Sequence, residues 1–290
     1  MKYSLENDQW TVQVKADGAE LCSVVNKESG REYIWQADPS VWARHAPVLF
    51  PIVGRLRDDQ FQYNEQTYRL TQHGFARDRE FSLVEQEPGS LSLGLTADHQ
   101  SMEHYPFNFV FDIRYQLTDN MLTVDYNVQN KDQKDMPFSL GAHPAFTMPK
   151  IVDKKSQEYL LEFDKPETLE RYLIKDGLQT GKTYPLMSNE SKLALHPKLF
   201  EEDAIIFKGH QSSSVSLLEQ SGGQKLVEMS VKGFPYLGIW QKYGADFICI
   251  EPWFGVADHQ DSNGDIMAKE GIQLLEPEGH FSCNYYIRFY

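Results

Sequence analysis

Apolar and polar residues alternate along much of this chain with a period of two. From Phe109 to Leu117 every odd position is apolar or aromatic, and three of the four even positions are polar. Leu122 to Gln129 repeats the alternation after Thr118-Asp119-Asn120, three residues that favour a turn. Successive strand side chains point to opposite faces, so this pattern predicts a β-hairpin with one buried and one wetter face. The same pattern predicts strands from Ser90 to Thr96, Tyr159 to Phe163, Ser214 to Leu218 and Lys225 to Val231. It predicts three more from Leu237 to Gln241, Phe247 to Glu251 and Asn284 to Phe289. Turn residues such as Glu87-Pro88-Gly89 and Ser221-Gly222-Gly223 separate them. Runs with the helical period are nearly absent; short helical turns are expected around Pro39 to Arg44, Gln100 to His104 and Pro197 to Glu201. Many short strands without alternating helices predict an all-β fold, a sandwich of antiparallel sheets.

No repeat, low-complexity linker or shift of composition divides the 290 residues, so residues 1–290 read as a single domain. Lys150 to Asn189 reads as an excursion within it. The net charge of −14 opposes binding to nucleic acid or to anionic lipid, both of which need a basic surface. It leaves room for a small phosphorylated substrate, because a local arginine cluster can override the global field. No stretch approaches the roughly 18 apolar residues of a membrane helix, and Met1 to Trp10 lacks the apolar core of a secretory signal. Cys22, Cys249 and Cys283 are odd in number, far apart and in apolar surroundings. They read as buried thiols in a reducing compartment, neither a disulfide framework nor a metal site, and the expected location is cytoplasmic.

The glycine-rich nucleotide fingerprints, the Gly-x-Ser-x-Gly elbow and His-Glu-x-x-His are all missing, so no nucleotide cofactor or metal is expected. The acidic loop Asp258 to Asp265 has its glycine at the wrong spacing for a calcium loop and reads as a solvated turn.

Two segments carry candidate chemistry. Gly141-Ala142-His143-Pro144-Ala145-Phe146 sets a histidine between small residues and a proline, just downstream of a strongly alternating strand. Cys249-Ile250-Glu251-Pro252-Trp253-Phe254-Gly255 delivers a carboxylate before another proline. Histidine titrates near neutral pH without help, so the two are suited to serve as an acid and a base. Ordinary strand-end geometry is the alternative for each. In Gln72-His73-Gly74-Phe75 the glycine permits a close approach or an unusual backbone angle beside His73. Phe50-Pro51-Ile52-Val53-Gly54-Arg55 ends an apolar run on a guanidinium that fits paired hydroxyls, a carboxylate or a phosphate. A turn histidine and an arginine paired with an aspartate are the structural alternatives.

Taken in order, these segments resemble the aldose 1-epimerase (mutarotase) family, and within it a bacterial LacX-like branch. The resemblance runs from Ala46-Pro47-Val48-Leu49-Phe50-Pro51-Ile52-Val53-Gly54-Arg55 and Gln72-His73-Gly74-Phe75-Ala76-Arg77 through Leu140 to Phe146. It continues through Leu199-Phe200-Glu201-Glu202-Asp203-Ala204, Ile250 to Gly255 and Glu270-Gly271-Ile272, so it spans essentially the whole chain. Leu275-Glu276-Pro277-Glu278-Gly279 departs from the Leu-x-Pro-Gly-Glu frequent in the family. The resemblance implies a galactose-mutarotase-like β-sandwich with an open sugar cleft and an isomerase that needs no cofactor. By the family pattern, His143 is implied as general acid and Glu251 as general base. Arg55, His73 and Asp203 are implied as ligands of the sugar. Interconverting α and β anomers requires a proton taken from the C1 hydroxyl and one delivered to the ring oxygen. Glu251 must then be ionised while His143 holds its proton, so their environments should push the two pKa values apart or couple them. A hexose-6-phosphate epimerase remains open, since Arg55, Arg57, Arg77 and Arg79 could gather at one rim. So does a non-catalytic carbohydrate-binding protein, although binding alone requires no acid-base pair.

Overall fold

The computed structural model describes residues 1–148 and 159–290. The start of the expected excursion, 150–158, lies outside the described residues. The first three strands, Lys2–Glu6, Trp10–Lys15 and Leu21–Asn26, form an antiparallel sheet in chain order. The second of them alternates regularly, with Trp10, Val12 and Val14 buried and the residues between them half-buried.

Among the described residues, fifteen strands join into one large antiparallel sheet. The hairpin read from the alternation is present, as Phe109–Thr118 and Met121–Asn130 paired around Asp119 and Asn120. Its odd positions on the first strand are buried, as the period of two requires. Ser90–Thr96 flanks it on one side and His280–Phe289 on the other. So wide a sheet does not stay flat, and here its apolar face packs with the smaller sheet into a common core. Val12, Val14 and Val24 share that core with Leu93, Phe111, Val124 and Ile287. The chain is an all-β antiparallel sandwich. Among the described residues no helix is long and apolar enough to cross a membrane.

Three elements differ from the alternation-based reading. Tyr159 begins a 17-residue strand, Tyr159–Lys175, which pairs with Leu178–Ala194 in a long hairpin broken by several register shifts. Pro39 to Arg44 is an isolated turn and no helix; Asp38 accepts the amides of Val41 and Trp42 through its carbonyl and that of Ser40 through its side chain. Asp258 is buried rather than solvated, because it meets the buried ammonium of Lys269 at 2.8 Å. The expected helical turns at Gln100 and Pro197 are present, as His99–His104 and Pro197–Phe200.

The strand that organises the candidate site is Phe247–Phe254, with seven of its eight residues buried. Leu140–Ala142 and Ala145–Thr147 both pair with it, Gly141 opposite Trp253 and Ala145 opposite Cys249. The register is the same on both sides of the gap, so His143 stands opposite Glu251. Pro144 and Pro252 lack amide hydrogens, which fits a ladder interrupted at this point.

Candidate active site

A cleft of about 450 Å³ opens beside this interruption, lined by His73, Arg77, His143, Asp203 and Glu251 among others. Its volume suits a small ligand. His143 Nε2 lies 3.1 Å from Glu251 Oε2, both residues nearly buried. The two atoms are close but not aligned as a hydrogen bond, and Oε2 is a buried oxygen without a hydrogen-bond partner. Such an oxygen is suited to accept a hydroxyl proton from a ligand.

His73 reaches the cleft from a turn. Its backbone is left-handed, with φ 68°, and its amide donates to Gly54 O at 2.8 Å. Gly54 N in turn donates to His73 Nδ1 at 3.1 Å, which makes Nδ1 an acceptor and leaves the ring proton on Nε2 of a neutral imidazole. The His73 and His143 rings meet edge to face, with centroids 5.8 Å apart.

Aromatic rings support the pair. Trp42 stacks on His143 at 5.2 Å and Trp240 meets it edge-on at 5.7 Å. The loop that carries Trp42 is held by the buried carboxylate of Glu20, which accepts the His45 and Ala46 amides and the Lys15 ammonium. Burial pushes the Glu20 carboxyl up, but these bonds outweigh it and hold it at about 2. Trp253 lies between Gly141 and Gly238 on the neighbouring strands, where any side chain would meet its ring at 2.5 or 2.4 Å. The two glycines therefore let the indole lie flat as part of the cleft floor.

Electrostatics favour the uncharged forms of the central pair. Burial pushes the Glu251 carboxyl well above the usual carboxylate range, and the nearby charge of Asp203 adds to the rise. Burial pushes His143 down to about 3, with Arg77 and Arg44 acting in the same direction. His73 is lowered for the same reason, with His143 and Arg77 contributing. The two values are thus pushed the opposite way from the expected ionised carboxylate and protonated imidazole, toward a carboxylic acid beside a neutral imidazole. That state carries the same single proton as the ionised pair.

Of the five residues singled out from the sequence, the cleft gathers four: His73, His143, Asp203 and Glu251. Arg55 is placed elsewhere. Its Nε and Nη2 form a bidentate pair with Asp59, both bonds 2.8 Å, and its Nη1 donates to Asp176 O. A guanidinium so paired is already satisfied, and its stem packs on Gly177 at the edge of the cleft. The arginine that does line the cleft is Arg77, from the same Gln72 to Arg77 motif. Its Nη2 donates to Gln72 O at 2.6 Å, while its Nε is buried without a hydrogen-bond partner. Nothing in its sequence context separated it from Arg57 or Arg79. Arg57 turns instead to Ser262 O, and Arg79 to Asp98.

Among the described residues, His143, Cys249 and Glu251 could together hold a metal ion, since their ligand atoms lie within 4.8 Å of one another. Burial and the charge of Glu251 keep the Cys249 thiol well above its usual pKa, and a protonated thiol is a poor ligand. An ion here would also withdraw both members of the acid-base pair.

The sequence pattern of the aldose 1-epimerases matches residues 1–271. The plasmid-encoded protein LacX of Lactococcus lactis subsp. lactis is 34% identical over 289 residues, covering 96% of this chain and 95% of its own. A galactose mutarotase related enzyme from Lactobacillus acidophilus superposes with a TM-score of 0.95 at 34% identity, covering 100% of this chain and 97% of its own. A galactose mutarotase-like protein from Lactobacillus casei gives 0.94 at 29% identity, each chain covered in full.

Proposed function

Because this chain belongs to the aldose 1-epimerase family, we propose that it interconverts the α and β anomers of a hexose, with Glu251 as base and His143 as acid. The observation that carries the reading is their placement opposite one another on a single ladder, 3.1 Å apart at the cleft.

Ring opening starts once the proton that burial leaves on Glu251 has passed to His143, 3.1 Å away; Glu251 then takes the proton of the C1 hydroxyl while His143 gives one to the ring oxygen. The C1–ring-oxygen bond breaks, and an open aldehyde forms. Glu251 then holds a proton and His143 is neutral, which is the state that burial favours. C1 turns about its bond to C2. Closure from the other face returns both protons by the reverse path. Every atom and proton balances without a cofactor. Asp203 and His73 hold sugar hydroxyls, and the Trp253 ring offers an apolar floor to the sugar.

A shared proton has a consequence for pH. His143 accepts a second proton only far below its ordinary value, and Glu251 gives up the shared one only above the ordinary carboxylate range. The exchange rate is therefore expected to hold as pH falls through the range where an ordinary histidine titrates, and to fall only toward about 3. A loss centred at about 6.5, where an unperturbed histidine titrates, would show that His143 titrates alone and would sink the shared-proton account.

Free hexoses are placed first, because Arg55, Arg57 and Arg79 turn to Asp59, Ser262 and Asp98 and gather no phosphate site. The net charge of −14 would also repel a phosphate dianion at long range. A hexose 6-phosphate is the second reading, favoured by the presence of Arg77 and Lys242 in the cleft lining. A purely carbohydrate-binding role leaves the acid-base pair without use. Magnetisation-transfer exchange between anomers, measured on glucose, galactose and glucose 6-phosphate at matched concentration, tests all three. Faster exchange of the free sugars is the expected result. A large advantage for the phosphate promotes the second reading, and no exchange with any sugar removes the catalytic one.

A further inference from the structure

Arg171 is only 1% exposed, and no step above uses it. It sits on the Tyr159–Lys175 strand, beside the residue through which that strand meets Ile205–Lys208. Burying a guanidinium is costly unless its donors are met. Here the terminal nitrogens are met, mostly by one short turn, while Nε is buried without a hydrogen-bond partner. Nη1 donates to Leu199 O at 2.8 Å and to Tyr184 Oη at 3.0 Å. Nη2 donates to Glu202 O and Asp203 O at 2.9 Å and to Ala204 O at 3.3 Å.

Four carbonyl dipoles pointing at one place repel each other without a cation among them. The turn they belong to also holds Asp203 in a left-handed backbone, φ 68°. The Asp203 carboxylate is then fixed by accepting the Ala204 amide at 2.8 Å, and it lines the cleft. A charge buried in the β-hairpin thus sets the direction of a carboxylate at the site.

We propose that Arg171 is a positioning residue, whose guanidinium gathers the carbonyls of the 199–204 turn so that Asp203 is aimed at the sugar. This rests on the reading of Asp203 as a sugar ligand. Lysine cannot replace it, because a point ammonium has three donors for five acceptors and no planar fork.

The test uses Arg171→Lys, which keeps the buried charge and most of the stem, with Tyr184→Phe, Asp203→Ala and the Arg171→Lys/Asp203→Ala double variant. Hydrogen exchange of the 199–205 segment reads the turn directly. Anomer exchange of glucose reads KM and kcat separately. In Arg171→Lys the segment is expected to exchange at least tenfold faster and KM to rise at least tenfold, with kcat within threefold. Tyr184→Phe removes the bond from Arg171 and a 3.4 Å bond to the Glu202 carboxylate but leaves the carbonyl bonds, so KM should move less than twofold. In the Asp203→Ala background, Arg171→Lys should add less than twofold. Unchanged exchange of the turn in Arg171→Lys overturns the proposal, as does a KM penalty that persists in full without the Asp203 carboxylate. An unchanged KM in Asp203→Ala alone overturns it through its premise, and that variant identifies the premise as the fault.

Discussion

Glu251→Gln is expected to slow anomer exchange by about a thousandfold, within the range that a positioned general base contributes. Glutamine keeps the shape and fills the same buried place opposite His143, but it cannot take the C1 hydroxyl proton. The cleft walls, the His73 turn and Asp203 are untouched, so sugar binding should fall far less than turnover. This is the signature of an interaction used mainly in the transition state. The measurement is magnetisation-transfer exchange on the preferred sugar, beside a direct binding titration of the same variant. Exchange at a near-normal rate would remove Glu251 from the role of base. Loss of binding in step with turnover would assign it to holding the sugar instead.

The second large effect concerns stability. Gly74 has φ 69°, and a Cβ there would stand 2.3 Å from Phe50 O and 2.6 Å from its carbonyl carbon. That same oxygen accepts the amides of Phe75 and Ala76, so the backbone cannot retreat without breaking both bonds. Gly74→Ala is expected to cost about 3–5 kcal/mol, from left-handed strain together with the forced shift. Gly30→Ala separates the two terms, since Gly30 has φ 68° with nothing within 4 Å. It should cost only about 1–2 kcal/mol, the strain alone. Urea denaturation of both variants gives the comparison. Equal losses would mean that the Phe50 loop yields freely and that Gly74 is needed for its angle only. A difference of a few kcal/mol would show that the close approach, which also seats His73, is rigid.

Alternation made most of the large sheet readable, because antiparallel strands with one buried face repeat their burial every second residue. It did not reveal the full Tyr159–Lys175 strand. That strand carries the register shifts, and it buries Glu167 and Arg171 where an apolar residue would be expected. Buried charge of this kind is satisfied by backbone far away in sequence, and no local pattern announces it. The candidate site was legible where a motif sits on a paired strand or a glycine turn. His143, Glu251 and His73 are of this sort. Arg55 and Arg77 show the limit. Both follow a glycine turn, and only the position of Asp59 relative to Asp78 and Gln72 decides which guanidinium is tied down and which edges the cleft. Side-chain partners of that range are set by the fold.

Of the five tryptophans, Trp42, Trp240 and Trp253 line the cleft and Trp35 packs behind them on Phe247, leaving Trp10 alone in the distant core. The ultraviolet emission of the whole protein is therefore weighted toward one small region. Within it, the Trp42 indole rests against the imidazole that is assigned the moving proton. A charged imidazole over an indole face is a cation–π pair and a neutral one is not, so light leaving Trp42 differs between the two. The molecule carries its own optical label at the point where the chemistry would occur. Occupancy of the cleft and the charge of His143 can then be followed in unmodified protein, with neither a dye nor a coupled reaction.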